Sequence, residues 1–297
     1  MEAKRLADPR RPRAGFAARQ LAGIVSFLFA PQGISLSLAQ EIKSIGQPAP
    51  PHVYTDAEEQ DIAQQLANPI ANLISIPIQN NFDLGGGWKG DALRYSLVAQ
   101  PVLPITINPQ WNLITRTIVP FADLQNVLPS RETGLGDIVQ QFFLSPSQPN
   151  SAGILWGAGP VVSYPTATND FTGSGQWGAG PTGIILRTSG AWTNFLLVSH
   201  LWGIDPPANR RPLNLTFMQP VIAYTFPTHT TVFVSSESSY DWTRHQWLVP
   251  LQLGGNQLFN WGGQLFQLGG LVRYYAVKPE GGPNWGFQLR LTLVFPK

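Results

Sequence analysis

Apolar and polar residues alternate along most of the chain after Asn72. The final segment is the clearest: Trp285, Phe287, Leu289, Leu291, Leu293 and Phe295 share one parity, and Gln288, Arg290 and Thr292 the other. Near residue 95, Tyr95, Leu97, Ala99, Pro101, Leu103 and Ile105 fall together against Arg94, Ser96 and Gln100. Val232, Val234, Tyr240 and Trp242 alternate in the same way with Thr231, Ser235, Glu237 and Asp241. A period of two puts successive side chains on opposite faces of a β-strand.

Segment length decides which kind of sheet this is. A soluble sandwich also alternates, but its strands run about five or six residues. The segments here run about ten to fourteen, which suits a tilted strand that crosses a bilayer. Twelve can be drawn, at 71–83, 92–107, 110–122, 134–145, 152–164, 177–187, 191–204, 212–226, 229–242, 246–255, 262–277 and 284–296. The number is even, as single-chain bacterial barrels require. Asn108-Pro109, Ser189-Gly190 and Pro227-Thr228 read as tight turns. DLGGGWKGDA, ADLQNVLPSRETG, YPTATNDFTGSGQ and GIDPPANRRP read as longer outer loops. Trp111, Trp192 and Trp261 fall at the tight-turn ends, and Trp177, Trp202, Trp242, Trp247 and Trp285 at the loop ends. Two aromatic rings of this kind are the girdles of a membrane barrel. The fold expected is an all-β, transmembrane, antiparallel up-and-down β-barrel of about 12 strands with a short N-terminal helix.

The first residues read differently. Lys4, Arg5, Arg10, Arg11, Arg13 and Arg19 precede the apolar run Leu21 to Ala30, and small residues stand at Ser37 and Ala39. That is the layout of a signal peptide over 1–39, and ten apolar residues are too few to span a bilayer. Residues 40–70 read as a Pro-rich linker and one helix, and 71–297 as the barrel. Thr55 and Glu58 have the spacing of a capping box, and Ile62, Leu66 and Ile70 form a narrow apolar stripe.

Composition narrows the chemistry. Only 12% of residues are charged, and the absence of Cys excludes disulfides and a thiol nucleophile. Six of the 19 basic residues lie in the leader, so a pI near 9.0 is no nucleic-acid footprint.

Five blocks carry a resemblance: LANPIANLISIPIQNNFD (66–83), WNLITRTIVP (111–120), GLGDIVQQFFLSP (134–146), WGAGPVVSYPTAT (156–168) and the ending GGPNWGFQLRLTLVFPK. In these the chain resembles the bacterial outer-membrane proteins grouped as meta-pathway phenol-degradation-like, over nearly all of residues 65–297. The resemblance implies an outer-membrane barrel of transporter type, associated with uptake of small aromatic or hydrophobic compounds. It implies no catalytic residues.

Enzyme signals are sparse. His52, His200, His229 and His245 are not spaced as metal ligands. Ser199 and His200 are adjacent on one strand and point to opposite faces, so they are poorly placed to share a proton. The reading is a non-enzyme with no cofactor and no metal; a phospholipase-like membrane hydrolase and a barrel without traffic are the alternatives. Candidate lumen-lining residues are Arg94, Arg116, Asp137, Glu237, Asp241, Arg273 and Arg290, because polar groups at strand centres do not face lipid cheaply. They either select a solute or pair to hold the wall. The repeated WGAGP adds Gly157, Gly159, Gly178 and Gly180 on the same face. These either leave an open patch for a ligand or an inserted segment, or allow strands to bend. The four arginines come from neighbouring strands. The acidic helix start (Asp56, Glu58, Glu59 and Asp61) is expected to tuck into the mouth against them, as a plug held by charge and released by salt. The expected partners are outer-membrane lipid, a small hydrophobic or aromatic solute and the barrel-assembly machinery, with no nucleic acid.

Overall fold

The structure, a computed structural model, describes residues 53–204, 206 and 210–297. The expected leader and most of the linker lie outside the described residues.

One helix, α1 (Asp56–Gln65), precedes the strands. Its capping box is complete: the Thr55 hydroxyl accepts from the Glu58 amide, and the Glu58 carboxylate accepts from the Thr55 amide at 2.7 Å. Asp56, Glu58 and Glu59 in the first turn favour the positive end of the helix dipole. Thr55→Ala is expected to cost about 1 kcal/mol of helix stability. Faster amide hydrogen exchange at Glu58 to Ile62 measures it.

Among the described residues there are fifteen strands. The first eight are β1 (Ile74–Gly86), β2 (Gly90–Ala99), β3 (Val102–Asn108), β4 (Trp111–Gln125), β5 (Glu132–Leu135), β6 (Ile138–Pro146), β7 (Ile154–Tyr164) and β8 (Trp177–Ser189). They continue with β9 (Trp192–Ile204), β10 (Asn214–Thr225), β11 (Thr230–Ser235), β12 (Ser238–Asp241), β13 (Gln246–Trp261), β14 (Gln264–Val277) and β15 (Trp285–Phe295). Three pairs, β2–β3, β5–β6 and β11–β12, each form one interrupted stave, which makes twelve. All neighbours are antiparallel, and β1 pairs with both β2 and β15, so the barrel closes.

Each interruption lies opposite a proline of the adjacent strand. The amides of Gln100, Gly136 and Ser236 donate to the carbonyls of Pro77, Pro120 and Pro220, at 2.9, 2.8 and 3.2 Å. Proline accepts one such bond but has no N–H to return, so the ladder breaks there. A fourth irregularity comes from Pro160 and Pro181, which stand opposite each other on β7 and β8. There the β6–β7 pairing jumps from Gln141↔Val161 to Leu144↔Ala158, and the β8–β9 pairing from Ala179↔Trp202 to Thr182↔Ser199.

The outer face is apolar across its middle: Ile185, Ile222, Leu251, Leu253, Val272 and Leu289 are all exposed. Aromatics gather at both ends. Trp111 meets Trp156, and Trp192 meets Tyr224, on the tight-turn side; Trp177 meets Tyr164, and Tyr240 meets Trp242 and Trp247, on the other. An apolar surface this continuous belongs in a bilayer, not in water.

DLGGGWKGDA is not a long loop. β1 runs to Gly86 and β2 begins at Gly90, so only 87–89 turn. Gly86 has φ +66°, and a Cβ there would lie 2.2 Å from the Gly282 carbonyl oxygen. Glycine lets the segment around 281–284 pack directly on this hairpin, and the Gly87 amide donates to Gly281 at 2.8 Å.

Candidate functional site

Register fixes which side chains point inward, because residues opposite each other on paired strands share a face. Asn81 stands opposite Gln288, Gln79 opposite Arg290, Val102 opposite Arg116, and Arg116 opposite Gln141. These residues and their same-parity neighbours form the inner wall, whereas Phe82, Phe287 and Leu289 lie on the lipid face.

A belt of amides and guanidiniums runs around that wall. Arg273 donates to the Asn81 side-chain oxygen at 2.6 Å, and Gln288 donates to the same oxygen at 2.8 Å. The Gln288 amide oxygen accepts from Arg290 at 3.0 and 2.8 Å. Gln288 and Gln100 both donate to Gln79, at 3.4 and 3.3 Å. Arg116 donates to Gln100 at 2.7 Å and to Gln141 at 3.4 Å, and Gln141 reaches Thr182 at 3.5 Å. Across the lumen, Glu237 accepts from Gln219 and Gln252 at 3.3 and 3.4 Å. The middle of the barrel therefore has a basic wall of β15, β1, β2 and β4 facing an acidic point between β11 and β12.

The charged candidates separate into three groups. Arg116, Glu237 and Arg290 line a central cavity. Arg273 is buried beside Asp83 at 3.6 Å, so this pair holds the wall. The rest tie outer connections. Arg94 donates to the carbonyls of Gly85 and Gly281 at 2.8 and 2.6 Å. Asp241 accepts from the amides of Thr243 and Arg244, and caps the β12–β13 turn. Asp137 is engaged by the 165–176 loop rather than open to the lumen: its carboxylate accepts from the amides of Ala167, Ser174 and Gly175 and from the Ser174 hydroxyl.

The glycines serve close approach. A Cβ on Gly159 would lie 2.2 Å from the Phe142 carbonyl oxygen, and one on Gly180 would lie 1.8 Å from that of His200. Both sit beside the Pro160–Pro181 pair, where carbonyls of the adjoining strands turn inward. A Cβ on Gly178 would lie 2.9 Å from Leu213, and one on Gly157 would lie 3.6 Å from Ile70 of the N-terminal segment.

That segment closes the lower lumen. Ile70 is buried with Val102, Ile114, Phe143, Ile184 and Leu197 on one side of the wall. Ile62, Ala63, Ala71 and Leu73 are buried with Leu258, Leu265 and Val294 on the other. Residues 65–69, Ala71 and Leu73 form the floor of the central cavity, whose volume is about 150 Å³. The polar anchors lie at the rim. Gln64 donates to the Gly190 carbonyl, Asn260 donates to Glu59 at 2.8 Å, and His229 stands 3.2 Å from Asp56 and 3.6 Å from Glu59. The expectation of a plug held by charge against the arginines is therefore wrong. The helix acids meet His229 and Asn260 on the tight turns, and the hold within the lumen is apolar.

Ser199 and His200 are separated by the wall. Ser199 lies opposite Thr182 on the inner face, while the His200 ring packs against Trp202 and shares a 2.7 Å hydrogen bond with Thr216. The Thr216 hydroxyl also accepts from the Trp242 indole at 2.8 Å, so the cluster is part of the outer aromatic girdle. Among the described residues no group of three His, Asp or Glu is placed to hold a metal.

No family model matches the chain, and no curated protein matches it. Among solved structures it is similar to an outer-membrane channel from Pseudomonas putida F1, with TM-score 0.59 and 14% identity, over 75% of this chain and 96% of that one. Outer membrane phospholipase A from Escherichia coli matches with TM-score 0.42 at 13% identity, over 79% and 97%. A Pseudomonas aeruginosa FadL homologue matches with TM-score 0.35 at 8% identity, over 75% and 89%. The first likeness shows the barrel fold; the other two add nothing to it.

Proposed function

We propose that the chain is a passive channel of a bacterial outer membrane for small apolar or aromatic compounds, exported by the leader at 1–39. The observation that carries this reading is the central cavity, part apolar and part charged, within a closed barrel whose lower end is stopped by a segment of the same chain. The placement of Ser199 and His200 on opposite faces supports a non-enzyme. Ester hydrolysis by the purified barrel that disappears in His200→Ala would overturn that part.

Planar-bilayer recording and liposome swelling test the channel. Ion current, and swelling driven by small solutes, are expected; neither appears for a barrel without traffic. Orientation is tested separately in intact cells with a membrane-impermeant thiol reagent. Lys89→Cys and Glu280→Cys should label, and Asn108→Cys should not; the opposite pattern would invert the barrel.

A further inference from the structure

We propose that the central cavity is a binding site for a small organic monocarboxylate with an apolar body, its carboxylate held by Arg116 and Arg290. This rests on the channel reading above and names the solute class that the same lumen accepts.

Charge inside the barrel is unbalanced. At mid-barrel, the guanidiniums of Arg116, Arg273 and Arg290 stand against the carboxylates of Asp83 and Glu237, while Arg94, Asp137 and Asp241 are engaged at the outer connections. Asp83 is committed to Arg273 at 3.6 Å, and Arg94 is held by two outer carbonyls. Arg116 and Arg290 remain, and among the described residues neither has a carboxylate within 4.0 Å. Their partners are side-chain amide oxygens of Gln100, Gln141 and Gln288, which orient a guanidinium without neutralising it. The acids of α1 stay at the rim and supply nothing here. Glu237 lines the same cavity and attracts both from beyond 4.0 Å, so two cations share one distant carboxylate, and the positive charge left over in a confined lumen is costly. Each guanidinium has five N–H donors and uses two in these bonds, so a carboxylate can be received by the planar fork that suits it best.

The remaining lining says what is attached to that carboxylate. Phe195, Val221, Phe233 and Leu271 give the cavity an apolar side. Its volume of about 150 Å³ is that of a cavity that accepts one benzene ring. Glu237 also lines the cavity, so a second carboxylate on the ligand meets a like charge. Size, apolar lining and charge together select a single-ring monocarboxylate over acetate, which lacks the body, and over phthalate, which has one carboxylate too many.

The test is titration calorimetry on the purified mature barrel in detergent, with sodium benzoate, acetate and phthalate as probes at fixed ionic strength. Benzoate should bind saturably, and acetate and phthalate at least tenfold more weakly. Arg116→Gln and Arg290→Gln should each weaken benzoate at least tenfold, while Arg94→Gln, at the outer end, should leave it unchanged. Glu237→Gln should narrow the gap between benzoate and phthalate, a gain that damaged folding does not produce. Absence of saturable benzoate binding, or benzoate affinity unaltered in both single arginine variants, overturns the site. Planar-bilayer current through the same preparation separates the two readings. Current without benzoate binding removes the site and leaves the channel; binding without current does the reverse.

Discussion

A chain beginning at Asn72 should carry severalfold more single-channel current than the mature protein, at low and high salt alike. The expectation follows from where α1 and residues 66–73 sit. They form the floor of the central cavity and bury Ile70 and Ala63 to 3% and 0% exposure. The twelve-stave ladder closes through β1 and β15 and does not use this segment, so the barrel persists without it. Salt is the discriminating variable. Coulomb attraction between partly solvated groups is screened within about 10 Å at 0.1 M salt. Among the described residues, Asp56 and Glu59 of the stopper pair with His229 at the rim, where such pairs contribute little. The rest is apolar burial, which added salt does not weaken. Equal current from the two chains would mean that the segment does not block the lumen. Current that rises with salt only in the intact protein would restore a charge-held plug.

Leu289→Arg is expected to destabilise the barrel by about 2–4 kcal/mol, the cost of a cation on the lipid face near mid-membrane. Leu289 lies near the middle of β15 and is 57% exposed on the outer wall. Ile204→Arg, at the outer end of β9, should cost only about 0–1 kcal/mol, because the penalty falls toward the interface. Reversible denaturant unfolding in lipid vesicles measures both. Equal costs at the two positions would contradict the membrane depth assigned to the strands.

The strands were legible because membrane and lumen impose a strict two-residue period, and few soluble folds sustain it for so long. β15 shows this best, since every lipid-facing position from Trp285 to Phe295 is apolar. The hairpin at Gly86–Gly90 was not legible. Its Gly-rich sequence looks like a loop, but the glycines are there so that the 281–284 segment can press against strand backbone. Pro77, Pro120 and Pro220 mark where the facing stave breaks, a relation visible only once register is known. In the candidate site, charge was readable and its partners were not. The glutamines that hold Arg116 and Arg290 are ordinary polar alternation in sequence, although Gln79, Gln100, Gln141, Gln252 and Gln288 recur on the inward parity of their strands. The helix acids drew attention to the arginines because opposite charges invite pairing. Apolar packing at Ile62, Ile70 and Leu73 instead keeps the helix end at the rim.

The closing seam also sets a sequence of events in time. Ile74 pairs with Phe295, so the barrel is complete only when the two ends of the ladder have met. Contacts so distant in sequence form slowly, and until then β1 and β15 are unpaired edges prone to wrong partners. The N-terminal segment rests on Leu258, Leu265 and Val294 at one side and on Val102, Ile114 and Phe143 at the other. Those surfaces face each other only after closure. Docking of the segment must therefore follow closure, and the moment at which α1 amides gain protection is a clock for the last step of assembly.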